Sequence, residues 1–226
     1  MISGPLVWPV DSDLPAIAEA ICGIGRRLDT RGFVAGNEGN ISVRVGEDRV
    51  LCTPTLQSKG TLRPEDLVVI DMRGEHIAGS KRRSSEALLH LAIYAARPNV
   101  RAVVHCHPPH ATAFALTHTE VPRGITPEVE VFLGDVAVTP YETPGTEAFA
   151  RSVVPYVDRA NALILANHGT VSYAAQLEHA FWFTEILDAY CRTVILARQL
   201  GPLQPLPEDK LAAIHAARAK WGFLKG

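Results

Sequence analysis

Short strand-like runs alternate with longer helix-like segments along this chain, and that switching of period leaves it few folds to adopt. The strand-like runs are Ile41-Ser-Val-Arg-Val45, Val50-Leu-Cys-Thr53, residues 67–71, Ala102-Val-Val-His-Cys-His107 and Ala162-Leu-Ile-Leu-Ala166. The first two flank a turn at Gly46-Glu-Asp48 and are expected to form a hairpin. Pro108 and Pro109, which have no N–H to donate to a sheet ladder, halt the run that carries His105 and His107. The run at 162–166 has no polar face, as a strand covered on both sides should not.

Helical periods fill the intervals. Ser12 or Asp13 is placed to cap a helix with Pro15 in its first turn and an apolar stripe at Ile17, Ile21, Ile24 and Leu28. Ser84 or Ser85 starts a second helix bearing Glu86, Leu88, Leu89, Ile93 and Tyr94, which must end before Pro98. Residues 111–116 open a short helix, 146–157 suit another, and 177–200 form a long amphipathic one. A Pro-rich joint at 201–207 leads into a last helix from Glu208 to about Trp221, while the tract 121–140 has no dominant period. Helices on both faces of one sheet make the class α/β or α+β. With 226 residues, 47% hydrophobic, a single domain over 1–226 is expected, its core at about 14–200 and a helical tail at 201–226.

Charge and cysteine usage narrow the setting. The 22 basic and 24 acidic side chains are mixed along the chain and leave a net charge of -2, so no field capable of recruiting nucleic acid or an anionic membrane is implied. Cys22, Cys52, Cys106 and Cys191 show neither a C-x-x-C pair nor the spacing of a secreted disulfide framework. The first residues lack a basic segment followed by a long apolar one, and no later apolar run reaches membrane-spanning length. A cytoplasmic protein is the resulting expectation.

Chemistry concentrates in the histidines. On a strand, His105 and His107 project from one face and Cys106 from the other, where it reads as a small core residue. His168 follows the run at 162–166, in Ala166-Asn-His-Gly169, where the glycine permits a sharp turn. Three neutral nitrogens with an open position fit a catalytic Zn²⁺ better than a closed structural site, and Glu86 is near enough in the element order to serve as a displaceable ligand or a base. The competing reading is a set of half-buried, hydrogen-bonded strand histidines. His90 shares the face of Glu86 one turn on and is expected to orient a neighbour; His110 and His118 read as partly exposed or as outer partners of the site, and His76, His179 and His215 as surface positions. The Gly39-Asn40 turn, Thr53-Pro-Thr55 and Ser84-Ser85 combine hydroxyls, amides and free N–H groups suited to an anion, though each singly reads as a turn or cap. Lys81-Arg82-Arg83 is a solvated turn or a contact for an anionic substrate or partner subunit.

Taken in order, Gly39-Asn-Ile-Ser-Val-Arg44, Thr53-Pro-Thr55, Ser84-Ser-Glu86, Arg97-Pro98, Val103-Val-His-Cys-His107, Tyr141-Glu-Thr-Pro-Gly-Thr146 and Asn167-His-Gly169 resemble the class II aldolase/adducin family, in its fuculose-phosphate aldolase branch. The resemblance runs from about Ile17 to Leu200. It implies a three-layer α/β/α domain with a mostly antiparallel central sheet, assembled as a homotetramer with active sites between subunits. It further implies His105, His107 and His168 as Zn²⁺ ligands, with Mn²⁺ or Fe²⁺ as alternative metals. Glu86 becomes the acid/base that also approaches the metal, and Gly39, Asn40, Thr55, Ser84 and Ser85 become the phosphate cradle.

The implied reaction is reversible cleavage of a ketose 1-phosphate (a fuculose, deoxyribulose or related sugar phosphate) to dihydroxyacetone phosphate and a small aldehyde, through an enediolate stabilised by zinc. Epimerisation, decarboxylation and dehydration on the same scaffold are the alternatives, with an Fe(II) oxygenase and a non-catalytic scaffold behind them. The glutamate at position 86 favours the aldolase, because related ribulose-phosphate epimerases carry an aspartate there. Three positions depart from the fuculose-phosphate pattern: Leu56 stands where a glycine is expected in the phosphate loop, and Thr126 and Trp221 where tyrosines are expected. Neither Thr126 nor Trp221 can act as a phenol, which leaves Glu128 and Glu130 as nearby substitute acids.

Overall fold

The computed structural model describes residues 13–221, so the alternative cap Ser12 lies outside the described residues. In chain order the elements are α1 (Leu14–Thr30), β1 (Asn40–Arg44), β2 (Val50–Cys52), β3 (Val68–Ile70), β4 (His76–Ala78), α2 (Ala87–Ala96), β5 (Ala102–Cys106), α3 (Pro109–Thr117), α4 (Pro127–Phe132), β6 (Val138–Thr139), α5 (Glu147–Ser152), β7 (Ala162–Leu165), β8 (Gly169–Ala174), α6 (Leu177–Leu200) and α7 (Glu208–Trp221). The strands form one eight-stranded sheet in the order β4-β3-β2-β1-β5-β8-β7-β6. Every pairing is antiparallel except that of β6 with β7.

Strand alternation sorts the core into two layers. Ala102, Val104 and Cys106 of β5 pack on the face covered by α1, α3, α4 and α6. Val103, between them, packs on the opposite face, beneath α2 and α5. The molecule is therefore a three-layer α/β/α domain, and the face beneath α2 and α5 is the one from which His105 projects. Arg97, at the end of α2, is buried and bonds the carbonyls of Val157 and Ala160 and the side chain of Asn161 at 3.2, 2.9 and 2.9 Å, which fixes α2 to the segment leading into β7.

Several elements differ from the sequence reading. Glu86 occupies the N-cap of α2 and not its first turn, because the Ser84 hydroxyl accepts the Glu86 N–H at 3.2 Å and turns the chain just ahead of the helix. The segment 146–157 is helical only to Ser152; Pro155, which can neither donate nor fit a helix interior, converts the rest into a 3-10 turn over Val154–Tyr156. The tract 121–140 contains α4 and the two-residue β6. Strand β8, unassigned in the sequence reading, lies between β5 and β7 at the centre of the sheet.

Candidate metal centre

Sheet register brings the first part of the site together. His105 pairs with Asn40 of β1 on one side and with Val171 of β8 on the other. Cross-strand partners share a face, so the Asn40 amide stands beside His105 and donates to Glu86 Oε2 at 2.7 Å. His107 lies one residue beyond β5, where its backbone N–H bonds the Phe33 carbonyl at 2.8 Å. His168 sits in the turn joining β7 to β8, after Asn167, whose φ of 54° is left-handed.

Two glycines permit the close approach. A Cβ at Gly169 would fall 2.3 Å from the His107 ring and 2.7 Å from the Cys106 carbonyl. One at Gly39, where φ is 73°, would fall 2.8 Å from the His105 carbonyl. Backbone at both places must come against the histidine strand, and only hydrogen leaves room for it.

The three histidines offer ligand atoms that all lie within 4.8 Å of one another. His105 is fully buried and donates Nδ1–H to the Thr170 carbonyl at 2.8 Å, so in the neutral ring its Nε2 carries the lone pair. That Nε2 faces Nε2 of His168 at 3.1 Å and Glu86 Oε2 at 3.3 Å, while Glu86 Oε1 lies 2.9 Å from His168 Nε2. Lone pairs and carboxylate oxygens at these separations repel unless a proton or a cation lies among them. Nε2 of His107 is buried and has no hydrogen-bond partner among the described residues. Three imidazoles with free nitrogens and one adjoining carboxylate form a donor set that fits a borderline divalent ion such as Zn²⁺.

Electrostatics match this geometry. Burial alone would raise the Glu86 carboxyl, but the charges and hydrogen bonds of His105 and His168 outweigh it and hold Glu86 well below the usual carboxylate range. Burial, reinforced by His105 and His168, pushes His107 down to about 4. His90, also buried, is pushed down to about 3 and bonds the Ser42 hydroxyl through Nδ1 at 2.7 Å, which in turn meets Tyr94 OH at 2.7 Å.

The remaining anion-binding candidates separate into two groups. Thr55 and Ser85 wall a depression of about 690 Å³ together with Leu56, Lys81, Arg82 and Arg83. Gly39, Asn40 and Ser84 are not among its walls. Asn40 is committed to Glu86, and Ser84 to the start of α2. Leu56 adopts φ 56°, so the loop keeps a glycine-like conformation without the glycine. A second depression of about 550 Å³, walled by His118, Arg123, Tyr141, Arg159 and neighbours, shares none of the three clustered histidines.

Other candidates have structural employment. Glu130 is buried, accepting from the Gly124 N–H at 2.6 Å and lying 2.8 Å from His215 Nε2, so it joins α4 to α7; neither it nor His215 is a free surface group. Glu128 is exposed, Thr126 stands at the N-cap position of α4 without a side-chain capping bond, and the Trp221 side chain lies outside the described residues. His110 Nδ1 meets Asp188 at 2.8 Å, and His118 Nε2 meets Asn167 Oδ1 at 2.6 Å. Two residues near the site escaped the sequence reading. Glu38 Oε2 lies 3.0 Å from His107 Nδ1, and Lys59 is buried, its Nζ donating to the carbonyls of Asn37, at 2.9 Å, and Gln57. Burial pushes Lys59 down to about 8, Glu86 offsetting part of the effect. The signal for each was weak: a glutamate between Asn37 and Gly39 and a lysine between Ser58 and Gly60 both read as solvated loop charges.

Residues 19–195 match the family described as Class II Aldolase and Adducin N-terminal domain. The chain is 37% identical to a 3-oxo-tetronate 4-phosphate decarboxylase of Haemophilus influenzae, over 75% of this chain and 82% of that protein. It is 31% identical to a 5-deoxy-D-ribulose 1-phosphate aldolase of Bacillus thuringiensis, over 85% and 91% respectively. Among solved structures, an L-fuculose 1-phosphate aldolase superposes with a TM-score of 0.85 at 26% identity, covering 92% of this chain and 99% of the other.

Proposed function

The chain belongs to the class II aldolase and adducin N-terminal domain family as one of its metal-dependent lyases, and from that premise we propose that it reversibly cleaves a ketose 1-phosphate to dihydroxyacetone phosphate and a small aldehyde. The observation that carries this reading is the position of Glu86, with one carboxylate oxygen facing His105, the other facing His168, and an amide from Asn40 holding it in place.

His105, His107 and His168 would hold the ion, Zn²⁺ by preference and Mn²⁺ or Fe²⁺ as alternatives. Bound there, it supplies Lewis acidity toward the substrate carbonyl oxygen. Glu86 moves the proton on and off the carbon next to that carbonyl, and its mostly buried setting keeps bulk water from competing for the proton. Thr55 and Ser85, with the basic stretch from Lys81 to Arg83, receive the phosphate at the depression they wall. No helix among the described residues is long and apolar enough to cross a membrane. A cytoplasmic homotetramer with sites between subunits completes the proposal.

One observation favours a second reading, decarboxylation of a 3-oxo sugar-acid phosphate. Aldol chemistry must move a proton at the oxygen of the aldehyde fragment, whereas carbon dioxide departs without one. Thr126 cannot serve as that acid, and Glu130 is already bonded to Gly124 and His215. The test is incubation of zinc-loaded protein with a panel of ketose 1-phosphates and with 3-oxo-tetronate 4-phosphate, each with a chelator-treated control. Dihydroxyacetone phosphate released from a ketose 1-phosphate, and abolished by chelation, is the expected result; the same product from the oxo acid marks decarboxylation. Carbon dioxide from the oxo acid alone would replace the aldolase with the decarboxylase, and neither product from metal-bound protein would sink both. Glu86→Gln should keep the metal and lose most of the rate; His107→Ala should lose both.

A further inference from the structure

We propose that Glu38 is a positioning residue of the metal centre, holding His107 through Nδ1 so that Nε2 is presented to the ion. The inference rests on the metal-centre reading above. A carboxylate only accepts, so at 3.0 Å from Glu38 Oε2 the Nδ1 of His107 must carry the proton. Nε2 is then the nitrogen with a lone pair, and it is the buried atom of His107 without a hydrogen-bond partner among the described residues. His105 shows the same division of labour, Nδ1 donating to the Thr170 carbonyl and Nε2 facing the cluster. Outer partners of this kind fix the tautomer and ring orientation of metal-binding histidines.

The segment carrying Glu38 is itself held in place. Glu38 Oε2 also accepts the Ala35 N–H at 3.1 Å, and the next residue but one, Asn40, is a member of β1. Between them, Gly39 lies against the His105 carbonyl so closely that a Cβ could not enter. Lys59, buried beneath this loop, bonds the Asn37 carbonyl. A solvated glutamate would sample many rotamers, but here backbone on both sides of Glu38 is anchored and its carboxylate has two donors. Its side chain is 45% exposed, so removing it leaves no cavity and should spare the fold.

The deciding experiment compares wild type, Glu38→Gln, Glu38→Ala and His107→Ala by Zn²⁺ titration against a chromophoric chelator, with Co²⁺ spectra and metal-free melting temperatures alongside. Glu38→Ala should bind Zn²⁺ about 10–100-fold more weakly, with an unchanged Co²⁺ band pattern and an unchanged metal-free melting temperature. Glu38→Gln, whose amide oxygen still accepts the Nδ1 proton, should fall between wild type and alanine. Equal affinity in all Glu38 variants would overturn the inference while leaving the metal centre intact. A Co²⁺ spectrum showing a lost ligand in Glu38→Ala would overturn it too, by making Glu38 a ligand. A wild type that binds Zn²⁺ no better than His107→Ala would remove the metal centre itself, and the inference with it.

Discussion

Leu56 shows what one side chain costs when the backbone has no choice. Its φ of 56° lies in the left-handed region, and its side chain is 79% exposed, so little packing offsets the strain. Left-handed backbone costs an L-residue roughly 1–2 kcal/mol, of which glycine's extra freedom in the unfolded chain would return part. Leu56→Gly is therefore expected to raise unfolding free energy by about 0.5–1 kcal/mol, measured by urea denaturation, and to leave Zn²⁺ affinity unchanged. A loss of stability would mean that Leu56 is covered by another subunit in the assembled protein. The glycine expected here from the resemblance was legible as a departure in the sequence. That the loop keeps the glycine conformation regardless was not, because the conformation is imposed by the Thr55 N–H bonding the Arg82 carbonyl and by the bridge between Pro54 and Arg83.

At the scale of elements, helix ends are where long-range contacts replace local signals. Helix α3 begins with two prolines and no capping side chain of its own. Its cap comes from α6: Asp188 Oδ1 accepts from the N–H groups of His110 and Ala111 at 2.8 and 3.0 Å, and Oδ2 meets His110 Nδ1. This carboxylate satisfies the exposed end of the helix dipole and ties α3 to α6. Asp188→Ala should destabilise the protein by about 1–3 kcal/mol, read from the shift in urea midpoint at constant slope, and Asp188→Asn by less. No change for the alanine variant would show that water replaces the cap. The bounds of α6 and α7 were readable because a long amphipathic period, a Pro-rich joint and an acidic first turn are all local. β8 was not read, although Val171 and Tyr173 alternate with Thr170 and Ser172. Its polar face looks solvent-directed, yet Ser172 is buried against the Thr184 hydroxyl at 3.0 Å.

For the whole molecule, buried histidines make stability depend on pH. The unfolded chain protonates His90 near 6.5, whereas the folded protein does so only near 3. Between these values the unfolded state holds one more proton, so stability rises with pH and is lost as pH falls below 6.5. His107, pushed down to about 4, acts with the same sign; His105, raised by Glu86, acts with the opposite one. In metal-free protein, His90 should contribute a loss of about 1.4 kcal/mol per pH unit below 6.5, measured as the difference between the stability curves of wild type and His90→Gln from pH 7 to 5. Parallel curves would mean that His90 is hydrated in solution.

The sequence by itself determined most of the elements, the one-sheet architecture and the side-chain types available at His105, His107, His168 and Glu86, because periodicity, turn residues and side-chain type are properties of neighbours along the chain. Tertiary structure decided which strands meet. It inserted β8 between β5 and β7, set Asn40 opposite His105 and thereby onto Glu86, and brought Glu38 to His107 over a buried Lys59. These contacts depend on sheet register and on glycines that admit backbone where a Cβ would clash, and neither is visible in a local window.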